Sequence, residues 1–175
     1  MTFFYLFLCL IVAQRLTELW IARRNEQWMK EKGAREFGQS HYPLMILVHC
    51  SFFIFLVLEV LLLNKQLTGL SYIFFTLFLM AQLVRIWIIA TLGKYWNTKI
   101  IVLPNTSLVA KGPYKYMKHP NYLIVTIEFI LIPLMFHAYY TLILFSLLNM
   151  VILRVRIPLE EKVLREWTNQ EDGII

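Results

Sequence analysis

Apolar residues in this chain are grouped into long blocks separated by polar segments. Five blocks contain few charged side chains: residues 2–22, 43–63, 70–92, 121–136 and 139–153. A helix needs about 20 apolar residues to cross the hydrocarbon core of a bilayer, and the first three blocks reach this length. The fourth block is shorter and contains Pro133, and only His137 and Ala138 separate it from the fifth. The pattern predicts an all-α integral membrane protein, one membrane domain over residues 1–175, with five transmembrane helices and a tight C-terminal helical hairpin.

The composition agrees with this class of protein. Hydrophobic residues make up 59% of the 175 positions and charged residues 16%, against about 45–50% and about 25% in soluble domains. The first block lacks a basic segment before it and a small-residue cleavage site, so we expect it to remain as a helix. Cys9 and Cys50 lie inside apolar blocks. We expect them to be buried small hydrophobic residues, and no metal site is predicted.

The basic residues predict the orientation of the chain in the membrane. If the five helices alternate, fourteen lysines and arginines lie on one side of the bilayer and only Lys65 lies on the other. The basic side is then cytoplasmic, with the N-terminus extracytoplasmic and the C-terminus cytoplasmic. The net charge of +6 is explained by this topology and requires no nucleic-acid partner. Residues 93–120 and 154–175 are the cytoplasmic segments in which we expect the chemistry, and the oligomeric state is not predicted.

Ionisable residues within the apolar blocks lie at a similar distance from the cytoplasmic ends of their helices. At about 1.5 Å per residue, the following lie roughly 10 Å deep: Arg15, His49, Arg85 and Glu128. Such residues usually face a bundle interior or a wet cavity. Two interpretations stay open, namely ion pairing between helices and the floor of a polar cavity. In the second, Arg85 and Glu128 contact the substrate.

The segment "KGPYKYMKHPNYL", residues 111–123, places prolines, tyrosines and lysines directly before the fourth helix. Pro113 and Pro120 fix φ, so we expect a rigid, extended approach with Pro120 at the first helical position. The free N–H groups at a helix start suit a carboxylate or phosphate, and tyrosine rings suit a cation or an aromatic ring. The alternative is that these residues only mark a membrane interface.

A second constellation, "RVRIPLEEKVLREW", begins at Arg154 after the fifth helix. Pro158 suits a helix start, which would place Glu160 and Glu161 in a first turn, where acidic residues are favoured. These acids could therefore be helix caps only. Arg156 lies just before them, and the hairpin would bring this segment close to residues 111–123. A further predicted feature is a small β-hairpin within "KIIVLPNTSLVAKG".

These residues together resemble the isoprenylcysteine carboxyl methyltransferase (ICMT) family of integral membrane methyltransferases. Its signature is G-P-Y-x-x-x-R-H-P-x-Y, a helical hairpin, and an arginine followed closely by two glutamates. The corresponding residues here are Gly112-Pro113-Tyr114, Lys118-His119-Pro120-Asn121-Tyr122, Arg156 and Glu160-Glu161. Two departures are Lys118, which lacks the bidentate fork of arginine, and Ile124, where many members have glycine.

The resemblance implies an enzyme that transfers a methyl group from S-adenosylmethionine, held in a cytoplasmic cofactor pocket, to a lipophilic acceptor that enters from the bilayer. Implied cofactor-binding residues are Tyr114, His119, Pro120, Tyr122 and Glu160. Arg156 and Glu161 would be the catalytic residues near the acceptor. The acceptor is either an isoprenylcysteine-type carboxylate or an enolic or phenolic hydroxyl of a lipid or polyketide. In the first long loop, Glu36, His41 and Tyr42 could also reach the site, with His41 a candidate substrate contact.

Two other functions compete with this one. Membrane sterol reductases have a similar segment near the carboxyl end and bind NADPH, although they generally have more helices. A non-catalytic membrane scaffold would leave both polar constellations without a role. Stabilisation of the purified protein by S-adenosylhomocysteine or by NADPH would distinguish the three hypotheses.

Overall fold

The structure is a computed structural model, and it describes residues 1–168. Its α-helices in this range are α1 (Thr2–Glu31), α2 (Tyr42–Leu62), α3 (Gly69–Leu92), α4 (Pro120–Met135) and α5 (Tyr139–Trp167). All but α4 are long and apolar enough to cross a membrane, and α4 has 16 residues. The prediction of an all-helical membrane protein is confirmed. Residues 169–175, at the end of the predicted segment 154–175, lie outside the described residues.

The turn between α4 and α5 is set by local sequence. α4 ends at Met135, two residues after Pro133, and His137 takes a left-handed conformation with φ 55°. The backbone N–H of Ala138 donates to the carbonyl of Pro133 over 2.8 Å, which closes the turn. Glu59 on α2 then accepts hydrogen bonds from the N–H groups of Tyr140 and Thr141, at 3.1 and 2.7 Å. The first turn of α5 is therefore capped by a carboxylate from another helix, where a negative charge is favoured.

Two helices extend well beyond the predicted spans. α1 continues to Glu31, where the prediction ended at residue 22, and α5 continues to Trp167 instead of residue 153. Hydropathy marks only the part of a helix that crosses lipid, and polar helix formers continue both. In α1, an ion pair between Glu26 and Lys30, four residues apart on the helix, stabilises the extension.

Pro158 lies inside α5, so the predicted helix start at this residue is wrong. Proline can continue a helix at the cost of one backbone hydrogen bond to the carbonyl four residues earlier. Since the helix is unbroken, Glu160 and Glu161 do not occupy a first turn. Their interpretation as N-terminal caps is therefore wrong as well.

The predicted β-hairpin within the third loop is also wrong. Strand β2 (Ile100–Val102) pairs instead with β1 (Arg35–Phe37) of the first loop, antiparallel, with Glu36 opposite Ile101. Glu36 accepts from Lys30 at 2.9 Å and lies 3.2 Å from the ammonium of Lys99. The chain does turn at residues 104 and 105, but β2 pairs with a segment that is distant in sequence, and local propensity alone could not reveal this partner.

The chain divides into two compact units. The first contains Met1–Gly38, Leu92–Leu108 and the chain from Glu160, and the second contains Gln39–Thr91 and Val109–Leu159. The core of the first unit includes fully buried Trp96. The core of the second contains three phenylalanines, with ring centroids 4.7 Å apart for the closest pair: Phe52, Phe129 and Phe145.

Cys9 and Cys50 are free and exposed, which corrects the expectation that they are buried. Both lie on membrane-spanning helices. Lipid tails are as apolar as a protein core, so an apolar residue in such a helix has no preference for the protein interior. Hydrophobicity identified the spans but could not tell which face of each helix packs inward.

Candidate functional site

A buried arginine joins three helices of the second unit. Arg156 on α5 is only 5% exposed. Its Nε donates to the hydroxyl of Tyr122 over 2.8 Å, and its Nη1 lies 3.0 Å from the Sδ of Met45. The guanidinium carbon also lies 5.7 Å from the centroid of the Tyr122 ring. The structure thus brings together Arg156 and Tyr122, two of the residues predicted for the site.

The His-Pro-x-Tyr element forms the start of α4. Pro120 occupies the first helical turn, as predicted, and His119 is the preceding residue with φ −127°. The N–H groups of Tyr122 and Leu123 both donate to the carbonyl of His119. The His119 ring stacks on that of Tyr122 with 5.4 Å between centroids and 21° between planes. This first turn therefore presents two parallel aromatic faces beside Arg156.

The Gly-Pro-Tyr element forms a tight turn against α3, where the sequence predicted an extended segment. Residues Gly112–Lys115 make a 3-10 turn that begins at Gly112 with φ 54°. A Cβ on Gly112 would lie 2.7 Å from Oγ1 of Thr91. Glycine is therefore needed both for its conformation and for the close approach. Tyr114, predicted to bind the cofactor, is half-buried within this turn.

His41 lies at the start of α2 in the same unit as Arg156. Its Nε2 is buried and has no hydrogen-bond partner within residues 1–168. Burial lowers the pKa of His41 from its usual value, and the positive charge of Arg156 lowers this pKa further. The imidazole is therefore neutral near pH 7 and has a nitrogen able to accept a proton. Of the first-loop residues, Glu36 belongs to the other unit, where it pairs with lysines.

Arg85 and Glu128 form a buried ion pair. Nη1 of Arg85 lies 2.9 Å from Oε2 of Glu128, and the two residues are 5% and 3% exposed. Gln82 donates to the other carboxylate oxygen over 2.7 Å. This geometry favours the pairing interpretation of the polar residues inside the spans.

The other members of the predicted polar layer have different partners. Arg15 pairs with Glu18 on its own helix over 2.8 Å, and Nδ1 of His49 lies 2.8 Å from the carbonyl of Met45. These two contacts each lie within a single helix, whereas Arg85 and Glu128 meet across two helices. Depth is one coordinate only, and the rotation of each helix decides which residues meet.

Glu160 and Glu161 lie in the last part of α5, which belongs to the first unit, and both are half-buried. Each has an interaction partner. Residues 156 and 160 thus fall in different units of the chain, although they lie on one helix.

Sequence reasoning missed some residues that shape this part of the molecule. Met45 gave no signal, since a methionine in an apolar block is ordinary. Asn149 could have been found, because it is a polar residue in the apolar block of the fifth helix. It is 2% exposed and donates to Oγ1 of Thr126 over 3.0 Å, which ties α5 to α4.

The chain is similar to two bacterial proteins. YpbQ, an uncharacterized protein from Bacillus subtilis, is 50% identical over 165 residues, which cover 94% of this chain and 98% of YpbQ. An uncharacterized protein from Haemophilus influenzae is 30% identical over 155 residues, which cover 88% of this chain and 90% of that protein. No solved structure matches the chain significantly.

The matching family profile is that of isoprenylcysteine carboxyl methyltransferase, and it covers residues 72–166. This range spans α3 to α5 and therefore contains the Gly-Pro-Tyr turn, the His-Pro-x-Tyr helix start and Arg156. It amounts to more than half of the chain. The resemblance noted from the motifs is thereby confirmed: the chain belongs to the isoprenylcysteine carboxyl methyltransferase (ICMT) family, a family of membrane methyltransferases.

Proposed function

We propose that this protein transfers a methyl group from S-adenosylmethionine to an oxygen atom of a lipophilic acceptor at the cytoplasmic face of the membrane. The observation that carries the proposal is the buried contact between Arg156 and Tyr122, within the range matched by a methyltransferase family. A cation held inside the protein beside two stacked aromatic rings suits an anionic reactant and a positively charged methyl donor.

The residues at the start of α4 are compatible with S-adenosylmethionine. Oδ1 of Asn121 is buried and has no hydrogen-bond partner within residues 1–168. A buried acceptor of this kind is costly unless a donor reaches it, and the cofactor carries an ammonium group and an adenine amino group. We assign cofactor binding to Tyr114, His119, Pro120, Tyr122 and Glu160. When bound, the cofactor would supply a methyl group on a sulfonium, and the neutral thioether S-adenosylhomocysteine would be the leaving group.

Arg156 can serve either class of acceptor. A carboxylate is already ionised at neutral pH, with a reference pKa of about 4, and requires only a cation to orient it. An enolic or phenolic hydroxyl must lose a proton, and a neighbouring cation lowers the energy of its anion.

His41 favours the hydroxyl. Within residues 1–168, Nε2 of its imidazole has no hydrogen-bond partner, and the charge of Arg156 lowers the pKa of the ring. Nε2 would take the hydroxyl proton and leave an oxygen anion as the acceptor for the methyl group that the bound cofactor would supply, and Glu161 would lie near the acceptor. A hydroxyl on a lipid or polyketide is therefore our first candidate acceptor, and an isoprenylcysteine-type carboxylate is the second.

Two measurements test the proposal. S-adenosylhomocysteine should raise the melting temperature of the purified protein, because a ligand at 100 times its Kd stabilises the native state by about 2.7 kcal/mol. Membranes incubated with a labelled methyl donor and a lipid extract should then yield a labelled lipophilic product, whose methyl ester or ether identifies the acceptor class. Stabilisation by NADPH instead would favour a reductase. No response to either ligand and no labelled product would contradict an enzymatic role.

A further inference from the structure

A tryptophan near the end of α1 is flanked by two lysine ammonium groups. Nζ of Lys32 lies 5.3 Å and Nζ of Lys94 lies 5.2 Å from the centroid of the Trp28 ring. The ring of Tyr95 packs edge-on against the same tryptophan at 5.7 Å. Lys32, Lys94 and Tyr95 are exposed to the surroundings of the protein. Two like charges thus lie over one half-buried aromatic ring.

The pattern repeats closer to the apolar part of α1. The guanidinium carbon of Arg24 lies 4.9 Å from the centroid of the Trp20 ring, and Trp20 is 57% exposed. We call these residues the basic–aromatic surface: Trp20, Arg24, Trp28, Lys32, Lys94 and Tyr95. All of them belong to the first compact unit.

The cations of this surface have no acidic partners in the part of the chain that the structure describes. Within residues 1–168, neither Arg24 nor Lys32 nor Lys94 forms an ion pair. By contrast, the neighbouring lysines of the same unit, Lys30 and Lys99, are neutralised by Glu26 and Glu36. Within residues 1–168, the positive charge on the basic–aromatic surface is therefore not compensated by an ion pair. An external anion would relieve the repulsion between the two lysines at Trp28.

The length of α1 places this surface at the level of lipid headgroups. The helix has 30 residues, or about 45 Å at ~1.5 Å per residue, whereas the hydrocarbon core is about 30 Å thick. The excess must lie at the carboxyl end, because α1 begins with an apolar block at Thr2. Tryptophan and tyrosine concentrate at this depth of a bilayer, and lysine side chains extend towards the phosphates.

We propose that the basic–aromatic surface binds the phosphate of an anionic phospholipid, with Lys32 and Lys94, which both lie over the Trp28 ring, as its ligands. The site has no part in methyl transfer and holds whether or not the proposed function is correct. It would retain one acidic lipid at the carboxyl end of α1 when neighbouring lipids exchange.

The test compares lipids on the full chain. Wild-type protein in nanodiscs or mild detergent is titrated with phosphatidylglycerol or with phosphatidylcholine, and bound lipid is counted by native mass spectrometry. Phosphatidylglycerol should bind preferentially. The double variant Lys32→Gln/Lys94→Gln should bind it roughly thirtyfold more weakly, from the contribution of two basic residues at a membrane surface. Lys32→Arg/Lys94→Arg keeps both charges and should retain most of the binding.

The chain offers a matched control. Lys65, on another loop, also lies over an aromatic ring, 5.6 Å from the centroid of Tyr139. Lys65→Gln should leave phosphatidylglycerol binding unchanged. The proposal is overturned if Lys65→Gln weakens binding as much as the double variant does, or if the double variant binds phosphatidylglycerol like the wild type. Displacement of the lipid by inorganic phosphate at equal concentration would overturn the assignment to a lipid.

Discussion

Nε of Arg156 donates a hydrogen bond of 2.8 Å to the hydroxyl of Tyr122, and this bond joins two motifs that lie 34 residues apart in the chain. The tyrosine comes from the first turn of α4 and the arginine from the interior of α5. Since Arg156 is buried, its orientation depends on its interaction partners, and the tyrosine oxygen is one of them. The bond therefore couples the proposed cofactor segment to the proposed catalytic cation.

Replacing Tyr122 with phenylalanine should impair methyl transfer more than it impairs folding. The variant keeps the ring that stacks on His119 but removes the hydroxyl that accepts a hydrogen bond from Nε of Arg156. A hydrogen bond to a charged group is worth about 1.5–3 kcal/mol, so kcat/KM should fall roughly 10- to 150-fold. The measurement is a methyl-transfer assay with the acceptor found above. Tyr116→Phe is the matched control, because Tyr116 lies in the same segment but is 79% exposed. Equal activity in the two variants would contradict a role for the Tyr122 hydroxyl.

Breaking the ion pair between Arg85 and Glu128 should destabilise the protein. Arg85→Leu leaves a buried carboxylate without its cation, which costs about 3–5 kcal/mol. The double variant Arg85→Leu/Glu128→Leu removes both charges and should recover most of this loss. Thermal unfolding in detergent reports the stability of each. An Arg85→Leu variant that is stable but inactive would instead support a substrate-binding cavity.

Glu59 should be important for stability and unimportant for chemistry. Its carboxylate accepts two backbone N–H groups and the hydroxyl of Thr141 at the start of α5. Glu59→Leu removes both carboxylate oxygens that accept these hydrogen bonds. It should lower the free energy of unfolding by at least about 0.5–2 kcal/mol, which is the cost of a lost helix cap. Glu59→Gln keeps one oxygen and should cost less. Melting temperatures of the two variants check this order, and a reversed order would contradict the capping role.

The ionisation of His41 should respond to Arg156. Burial and the charge of Arg156 lower the pKa of His41, so the folded state binds this proton less readily than the unfolded state, whose reference pKa is about 6.5. The stability that this pKa difference contributes is therefore complete above the unfolded-state pKa of about 6.5. It is lost as the pH falls through the lowered pKa of His41 in the folded state.

NMR titration of a protein labelled at histidine measures this pKa directly. In Arg156→Gln, the pKa of His41 should move up towards its ordinary value, because one of the two causes is removed. Lys118→Gln is a control that removes an exposed charge elsewhere in the second unit. An unchanged pKa in Arg156→Gln would show that the two groups do not interact.

Features that depend on neighbours along the chain could be predicted from the sequence. The apolar blocks marked the membrane helices, Pro120 marked the start of α4, and the short spacing between the last two blocks marked the hairpin. The contact between Arg156 and Tyr122 could be predicted in outline from the hairpin. In two antiparallel helices, the start of the first lies on the same side as the end of the second.

Features that depend on distant partners could not be predicted. Nothing local to residues 100–102 indicates that they pair with residues 35–37, and nothing in an apolar block indicates that Met45 contacts Arg156. Pro158 is a further example, because proline favours a helix start in isolation but is tolerated within α5 by the surrounding helix.

The exposure of Cys9 and Cys50 has a practical consequence. Both lie on helices long and apolar enough to cross a membrane, so acyl chains should cover both thiols in the native membrane and keep water-soluble alkylating reagents away from them. Alkylation of Cys9 or Cys50 therefore reports on membrane insertion. Labelling of either sulfur in a membrane preparation would indicate molecules whose helices are not inserted in the bilayer.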